Sequence, residues 1–495
     1  MLELPLVARA RAHASRVALR ADGVLRSYED LLNASSRVAA ALLDGRRDLE
    51  EARVAFMAPA SFEYVAILWG IWRAGGIAVP VSPHATAPEI EHVLGDSDAA
   101  MIVATGAHAE RLASRRRPLL RAEEAIAHES CDLPEIVSTR RAMILYTSGT
   151  TSKPKGVVST HANLQAQIET LVEAWEWRAE DRIPLFLPLH HIHGIINVLS
   201  CALWSGALVD AFPRFESELV LPRVASGDYT LFMAVPTLYA KLVGILEAEG
   251  PEAASIRQGF SRMRLMVSGS AALPASLHRR WAELTGQSLL ERYGMTETGM
   301  MISNPLHGER RAGTVGQALP GVMIRLRSEH GETVAKEDEP GEVQARGPGI
   351  FREYWNLPAA TAESFEDGWF RTGDMAVIED GYYRILGRLS VDIIKSGGYK
   401  LSALEIEAAL LDHPAIRECA VVGLEDDTWG QTVAIAVVLE AGVEELLLPD
   451  LQRWGKDRLS DYKLPRHLLC IEGLPRNAMG KVAKREVTQL FGAAR

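Results

Sequence analysis

The chain predicts an α/β protein. A large N-terminal domain over residues 1–387 holds parallel sheets covered by helices plus a small distorted barrel, and a small α+β domain covers residues 388–495. Three observations carry that expectation. At 495 residues the chain exceeds what one compact core can fill. From Ala52 to about residue 290, apolar strand-like runs alternate with amphipathic stretches, as in parallel sheets covered by helices. After Gly387-Arg388 the pattern changes to a short helix, two β-rich runs and another helix.

The elements follow in order. Val17 to Gly23 reads as the first hairpin, Val54 to Met57 as a strand, Phe62 to Ala74 as a helix, and Ile77 to Pro80 and Ala100 to Val103 as further strands. Met143 to Leu145 predicts a buried strand, with a helix near His161 to Trp175. Leu231 to Val235 precedes a helix at Thr237 to Glu247, and Leu265 to Val267 precedes one at Pro274 to Thr285. Short β-branched runs punctuated by glycine between Thr314 and Gly347 predict the small barrel. Beyond Arg388, helices are expected at Ser402 to Leu411 and Asp450 to Leu459, with strands at Cys419 to Gly423 and Val433 to Val438.

Composition narrows the function. Hydrophobic content of 47% and charged content of 24% describe an ordinary globular protein. A net charge of −11 argues against nucleic acid as a partner. No apolar run of membrane-spanning length is present; Ile195 to Phe212 is broken by Asn197, Ser200, Ser205, Gly206 and Asp210 and reads as core. The four cysteines are far apart, so neither a zinc site nor a disulfide framework is expected. The first twenty residues hold several arginines and only Glu3 as an acid, yet they run straight into the first hairpin. A cytoplasmic location is expected, with the mitochondrial matrix as the alternative.

Tyr146-Thr-Ser-Gly-Thr-Thr-Ser-Lys-Pro-Lys-Gly156 is the most informative stretch. A hydroxyl-rich, glycine-bounded loop with two lysines can present N–H groups, hydroxyls and an ammonium to a polyphosphate. The Walker A spacing is absent. The loop resembles the phosphate-binding signature of adenylate-forming enzymes: acyl-CoA synthetases, luciferases and peptide-synthetase adenylation domains. The resemblance implies ATP contacts from Thr147, Ser148, Gly149, Thr150, Thr151 and Lys155.

Further segments match that superfamily in order. Tyr293-Gly-Met-Thr-Glu297 supplies a hydroxyl and a carboxylate. By resemblance Tyr293, Gly294 and Thr296 meet the nucleotide and Glu297 holds Mg²⁺, which prefers oxygen ligands. Ser268-Gly-Ser-Ala-Ala-Leu273 resembles the loop lying against adenine, through Gly269, Ser270 and Ala271; small residues let backbone approach a flat ring. In Phe370-Arg-Thr-Gly-Asp374 the carboxylate of Asp374 suits two ribose hydroxyls, and Arg388 resembles the arginine that joins it. Pro475-Arg-Asn-Ala-Met-Gly-Lys481 resembles the C-terminal catalytic motif. Attack of a carboxylate on the α-phosphate brings two anions together, and a cation at that point lowers the barrier; Lys481 is the candidate. His190-His-Ile-His-Gly194 resembles the segment whose side chain opens the path for the CoA thiol, and His191 aligns with that gate rather than with a metal site.

Arg292, directly before the Tyr293 motif, bears on the acid. A guanidinium there would face the acyl pocket and pair with a second carboxylate through two parallel hydrogen bonds; alternatively it pairs with a structural acid such as Glu291. Leu290 to Thr298, Asn304-Pro305, Ala312 to Gly316, Phe232 to Thr237 and Val391 to Tyr399 look like malonyl-CoA synthetases. That resemblance implies malonate, with methylmalonate second, and gives Arg292, His193 and Ser268 as the substrate-binding candidates. It also implies ATP, Mg²⁺ and coenzyme A, and a C-terminal domain that rotates between half-reactions about Ser390 or Asp392, bringing in the Gly397-Gly398 segment. The stretch from Arg388 to Gly398 is one residue longer than in most relatives, which leaves the pivot open. Competing readings are a ligase for another short acid, a carrier-loading adenylation enzyme and a non-catalytic nucleotide-binding regulator.

Overall fold

The computed structural model describes residues 3–113, 115–147, 154–334, 336–397, 399–426, 428–476 and 482–493. Ser148, Gly149, Thr150, Thr151, Gly398 and Lys481 lie outside the described residues.

The fold class is α/β, as expected, but the sheets are mixed rather than wholly parallel. The seven-stranded sheet contains a parallel block, with Arg53–Met57 between Ile77–Pro80 and Met101–Ala104, extended by Leu119–Arg121 and by Arg141–Thr147. Its other edge is antiparallel: Lys155–Thr160 pairs with Arg141–Thr147, and Glu353–Tyr354 pairs with Lys155–Thr160. The antiparallel edge arises because the strands on either side of residues 148–153 pair with each other as a hairpin. A chain that turns back at once can only pair antiparallel, whereas a parallel neighbour needs a crossover. A strand, and not the helix alone, therefore follows the loop.

The helix His161–Ala174 begins where the hairpin ends. Thr160 caps it: its side chain accepts from Asn163 N, and Asn163 accepts from the Thr160 N–H, a reciprocal box that satisfies two end groups. The helix faces the Tyr293 motif. Gln167 Nε2 donates to the Gly349 carbonyl at 2.6 Å, and a methyl group on Gly299 would fall 2.5 Å from Gln167 Cδ. Gly299, at φ +66°, has both the conformation and the space that only glycine supplies.

A second sheet carries Leu231–Ala234, Leu265–Ser268 and Leu290–Met295 in parallel, then turns antiparallel at Gly299–Ser303 and Gln317–Ala318. The expected first hairpin is present: Val17–Ala21 pairs with Val24–Ser27 across Asp22-Gly23, both at positive φ as a two-residue turn requires. Ile195 to Phe212 is core as expected, built from the π-helix His193–Ser200, a short α-helix and the strand Leu208–Ala211. The distorted barrel is an antiparallel sheet of Met323–Arg327, Gly341–Arg346, Trp369–Glu379, Tyr382–Arg388 and Phe365–Glu366.

The C-terminal sheet pairs Ile416–Asp426 with Gly430–Leu439, flanked by Ile393–Ser396, Tyr399–Ser402 and the parallel strand His467–Cys470. Ser402 caps the helix Ala403–Leu411, and the last predicted helix spans Leu448–Lys456, slightly earlier than its apolar pattern suggested. Gly397 turns between two strands at φ +56° beneath Trp429, whose Cε3 a methyl group there would meet at 2.8 Å.

Candidate active site

Strand ends and their turns gather the motif residues. Thr147 and Lys155 face each other at the base of the phosphate hairpin, so the loop between them is closed by sheet pairing. Its far foot is held from outside: His92 Nε2 is 2.9 Å from the Pro154 carbonyl, which can only accept, so this ring nitrogen carries the proton. Tyr146 braces the other foot by donating to Asp96 Oδ2 at 2.7 Å, and Trp355 Nε1 donates to the Asp96 carbonyl.

Glu297 sits in the turn after Leu290–Met295 and is buried. Tyr354 Oη donates to its Oε1 at 2.9 Å, and Lys155 Nζ lies 5.0 Å from the centre of the Tyr354 ring. Burial raises the carboxyl pKa above the ordinary range, and no ion pair to Glu297 exists among the described residues. A buried carboxylate with no ion pair among the described residues, near Tyr354 and Lys155, offers the oxygen donor chemistry that suits a hard divalent cation.

Asp374 and Arg388, the two residues expected at the ribose, are in contact. Arg388 Nε donates to Asp374 Oδ1 at 2.8 Å, and Tyr293 Oη donates to Asp374 Oδ2 at 2.6 Å. Trp369–Glu379 and Tyr382–Arg388 pair directly, with Asp374 opposite Arg388, so the barrel sheet creates this contact. Burial works against the Arg388 charge, but Asp374 outweighs it and holds the guanidinium above its ordinary pKa.

The adenine-type loop and Arg292 meet on neighbouring strands. A methyl group on Gly269 would lie 2.3 Å from Arg292 Cζ, so only glycine leaves room for the guanidinium. Ser270 follows in the left-handed region at φ +72°, a strained position for a residue with a side chain, and its Oγ is hydrogen-bonded to His193 Nδ1 at 3.1 Å. Ala271 continues the loop and Ser268 closes the strand before it. Arg292 is buried, and its Nε and Nη2 have no hydrogen-bond partner among the described residues; the same holds for His193 Nε2 and Ser268 Oγ. Burial pushes the Arg292 guanidinium down to about 10, and burial together with Arg292 keeps His193 neutral, well below the usual imidazole range. Two unpartnered nitrogens of a buried cation, with two further unpartnered polar atoms on His193 and Ser268, are the donor chemistry that suits an anion bringing its own acceptors.

Glu291 does not neutralise Arg292. Its Oε1 instead accepts from Leu273 N at 2.9 Å and staples the adenine-type loop, while its carbonyl accepts from Asn304 N at 3.0 Å. Burial pushes the Glu291 carboxyl up to about 8. This positioning role was missed in the sequence, as was that of Tyr354; strand alternation separates residues 291 and 292, and was the one available signal.

His190 and His191 pack with ring centroids 4.2 Å apart, and Gly194 packs against the backbone of Leu187 and Pro188. Burial pushes His190 down to about 3, so it is neutral. No cluster of three metal-ligating side chains occurs among the described residues. The π-helix starting at His193 is the kind of irregular turn often found at functional sites. Asp392 lies in the turn after Arg388, where its Oδ2 accepts from Arg388 N at 3.0 Å. Ser390 occupies the same turn, and Gly397 N donates to the Trp429 carbonyl at 2.8 Å.

This arrangement defines an enzyme that activates an acid on a nucleotide. Residues 6–355 match the AMP-binding enzyme family and residues 405–481 its C-terminal domain, and the chain belongs to that family. It is 42% identical over 525 residues to the protein named malonate--CoA ligase ACSF3, mitochondrial, of Mus musculus, covering 98% of this chain and 90% of that protein. The crystal structure of ATP-bound MatB from Rhodopseudomonas palustris is similar at a TM-score of 0.90 and 31% identity, covering 99% of both chains. A malonyl-CoA ligase ternary product complex with methylmalonyl-CoA and AMP is similar at a TM-score of 0.71 and 36% identity, covering 96% of this chain and 100% of that one.

Proposed function

We propose that this protein is an ATP-dependent malonate–CoA ligase working in two half-reactions. A malonate carboxylate oxygen attacks the α-phosphate of ATP, forming malonyl-AMP and releasing pyrophosphate. The CoA thiol then attacks the acyl carbon, giving malonyl-CoA and AMP. The observation that carries the choice of acid is the buried Arg292 guanidinium, whose Nε and Nη2 have no hydrogen-bond partner among the described residues. Malonate has one carboxylate to react and a second to place there, and a monocarboxylate leaves the cation stranded. Methylmalonate presents the same two carboxylates and is the second substrate.

The phosphate loop from Thr147 to Lys155 and Thr296 orient the triphosphate, and Asp374 and Arg388 take the ribose. Gly269, Ser270 and Ala271 line the adenine, and Ser268 and His193 lie beside the malonate. Lys481 supplies the cation at the reacting carboxylate and α-phosphate. Glu297 would hold Mg²⁺, which when bound neutralises phosphate charge. His191 gates the thiol path.

Residues 1–387 and 388–495 act as two domains, the second rotating to bring Gly397 and Gly398 to the acyl-adenylate. Ser390 is the better pivot, because Asp392 is tied on both sides of its carboxylate. The mitochondrial relative supports a mitochondrial location over the cytoplasmic one.

Malonate-dependent pyrophosphate release, measured with and without CoA, tests the reading. Pyrophosphate release that requires malonate, followed by malonyl-CoA on adding CoA, is expected. No pyrophosphate with any short dicarboxylate would leave a nucleotide-binding regulator, and transfer to a carrier protein but not to CoA would leave a loading enzyme.

A further inference from the structure

One buried cation has no part in the chemistry above. Lys484 opens the helix Lys484–Ala493, and its side chain is 9% exposed. Its Nζ lies 2.6 Å from Asp392 Oδ1 and 2.8 Å from Glu407 Oε1. The two acids come from separate places: Asp392 from the turn after Arg388, Glu407 from the helix Ala403–Leu411. Each is also tied to backbone. Asp392 Oδ2 accepts from Arg388 N at 3.0 Å, and Glu407 Oε1 accepts from Val421 N at 2.7 Å.

Burial disfavours an ammonium here, but the two carboxylates outweigh it and raise the Lys484 pKa above the ordinary lysine value. A lysine is not needed at this depth to start a helix, and a buried ion cluster is a weak source of stability because desolvation offsets its attraction. What it specifies is relative position. Residues 477–481 lie outside the described residues, but both feet of that segment are defined: Ala483 N donates to the Pro475 carbonyl at 2.8 Å, and Arg476 bridges Val482. Lys484 follows directly on the second foot.

We propose that Lys484 is a positioning residue for the adenylation half-reaction: by joining Asp392 to Glu407 it ties the base of the segment carrying Lys481 to the chain that leaves Arg388. The proposal rests on the role given to Lys481 above. Removing the tie loosens the placement of a group that must meet two anions at once, and leaves the Gly397 side of the domain in place.

The test uses the full chain in three forms: Lys484→Met, the charge-free triple Asp392→Asn/Glu407→Gln/Lys484→Met, and Lys481→Ala. Malonate-dependent pyrophosphate exchange reads the first half-reaction, and malonyl-CoA formation from supplied malonyl-AMP reads the second. In Lys484→Met, kcat for exchange should fall by about 10- to 100-fold, the loss expected of a misplaced group, with KM for ATP and malonate and the second half-reaction changed less than about threefold. The triple removes the stranded acids that could unfold the single variant, and should show the same selective loss. Normal exchange in the triple would overturn the proposal, as would equal damage to both half-reactions or unfolding of both variants by circular dichroism. If Lys481→Ala keeps normal exchange, the role of Lys481 is wrong and this proposal falls with it. If only that variant loses exchange, Lys481 stands and Lys484 alone is excluded.

Discussion

The guanidinium of Arg292 lies over Gly269: a methyl group on Gly269 would fall 2.3 Å from Arg292 Cζ, 2.5 Å from Nη1 and 2.6 Å from Nε. One strand thus supplies the cation and its neighbour supplies the only side chain small enough to admit it. Arg292→Leu should therefore cross the preferences. Malonate activity collapses because its distal carboxylate loses its partner, while butyrate gains relative to wild type because no buried charge is stranded. Relative kcat/KM for malonate and butyrate checks this. A uniform loss for every acid would point to a structural arginine, and unchanged malonate kinetics would remove the residue-level case for malonate.

Glu291 should act as a neutral staple. Burial pushes its carboxyl up to about 8, so at neutral pH it is mostly protonated while Oε1 accepts from Leu273 N. Glu291→Gln keeps an acceptor and should hold KM for ATP near wild type at pH 7. Glu291→Ala strands the buried N–H at a cost of about 1–3 kcal/mol and should raise it. As pH climbs through about 8 the wild-type carboxyl ionises in a buried site, so its ATP affinity should decline while that of the Gln variant does not. Parallel pH profiles for the two would refute the neutral form.

The pivot can be separated from its neighbour by proline. Asp392 N donates to the Arg388 carbonyl at 2.7 Å, and proline at 392 would remove that bond. Ser390→Pro removes no backbone bond found among the described residues, and acts by fixing φ where the chain must turn. It should leave pyrophosphate exchange near wild type and slow malonyl-CoA formation by about tenfold or more, whereas Asp392→Pro should damage both half-reactions. Normal malonyl-CoA formation by Ser390→Pro would exclude it as the pivot.

His161 sets a pH limit on stability. It is buried at the start of its helix, its ring 5.9 Å from that of Trp72, and burial pushes its pKa down to about 3. The folded state keeps it neutral while the unfolded chain protonates it below about pH 6.5, so the unfolded state binds more protons and stability falls as pH drops. Over that window this group alone should contribute a slope of about 1.4 kcal/mol per pH unit. Urea midpoints at pH 7.5 and 5 should separate more in wild type than in His161→Gln. Equal separations would show that the ring is already free to protonate when folded.

The sequence by itself determined the α/β class, the order of motifs and the chemistry each supplies, because these depend on local periodicity and on residue types at fixed spacing. Thr147 with Lys155, Tyr293 with Glu297, and Asp374 with Arg388 were all singled out as candidate site residues before any contact was known. Only the tertiary structure decided who faces whom. The antiparallel return after the phosphate loop depends on pairing partners, including Glu353–Tyr354, that lie almost two hundred residues away in sequence. The opposite fates of Glu291 and Arg292 arise because consecutive strand residues point to opposite faces, one toward Leu273 N and the other over Gly269. Tyr354 against Glu297, and Lys484 between Asp392 and Glu407, were invisible for the same reason: burial and pairing of a charge are properties of a packed neighbourhood, which no spacing along the chain encodes.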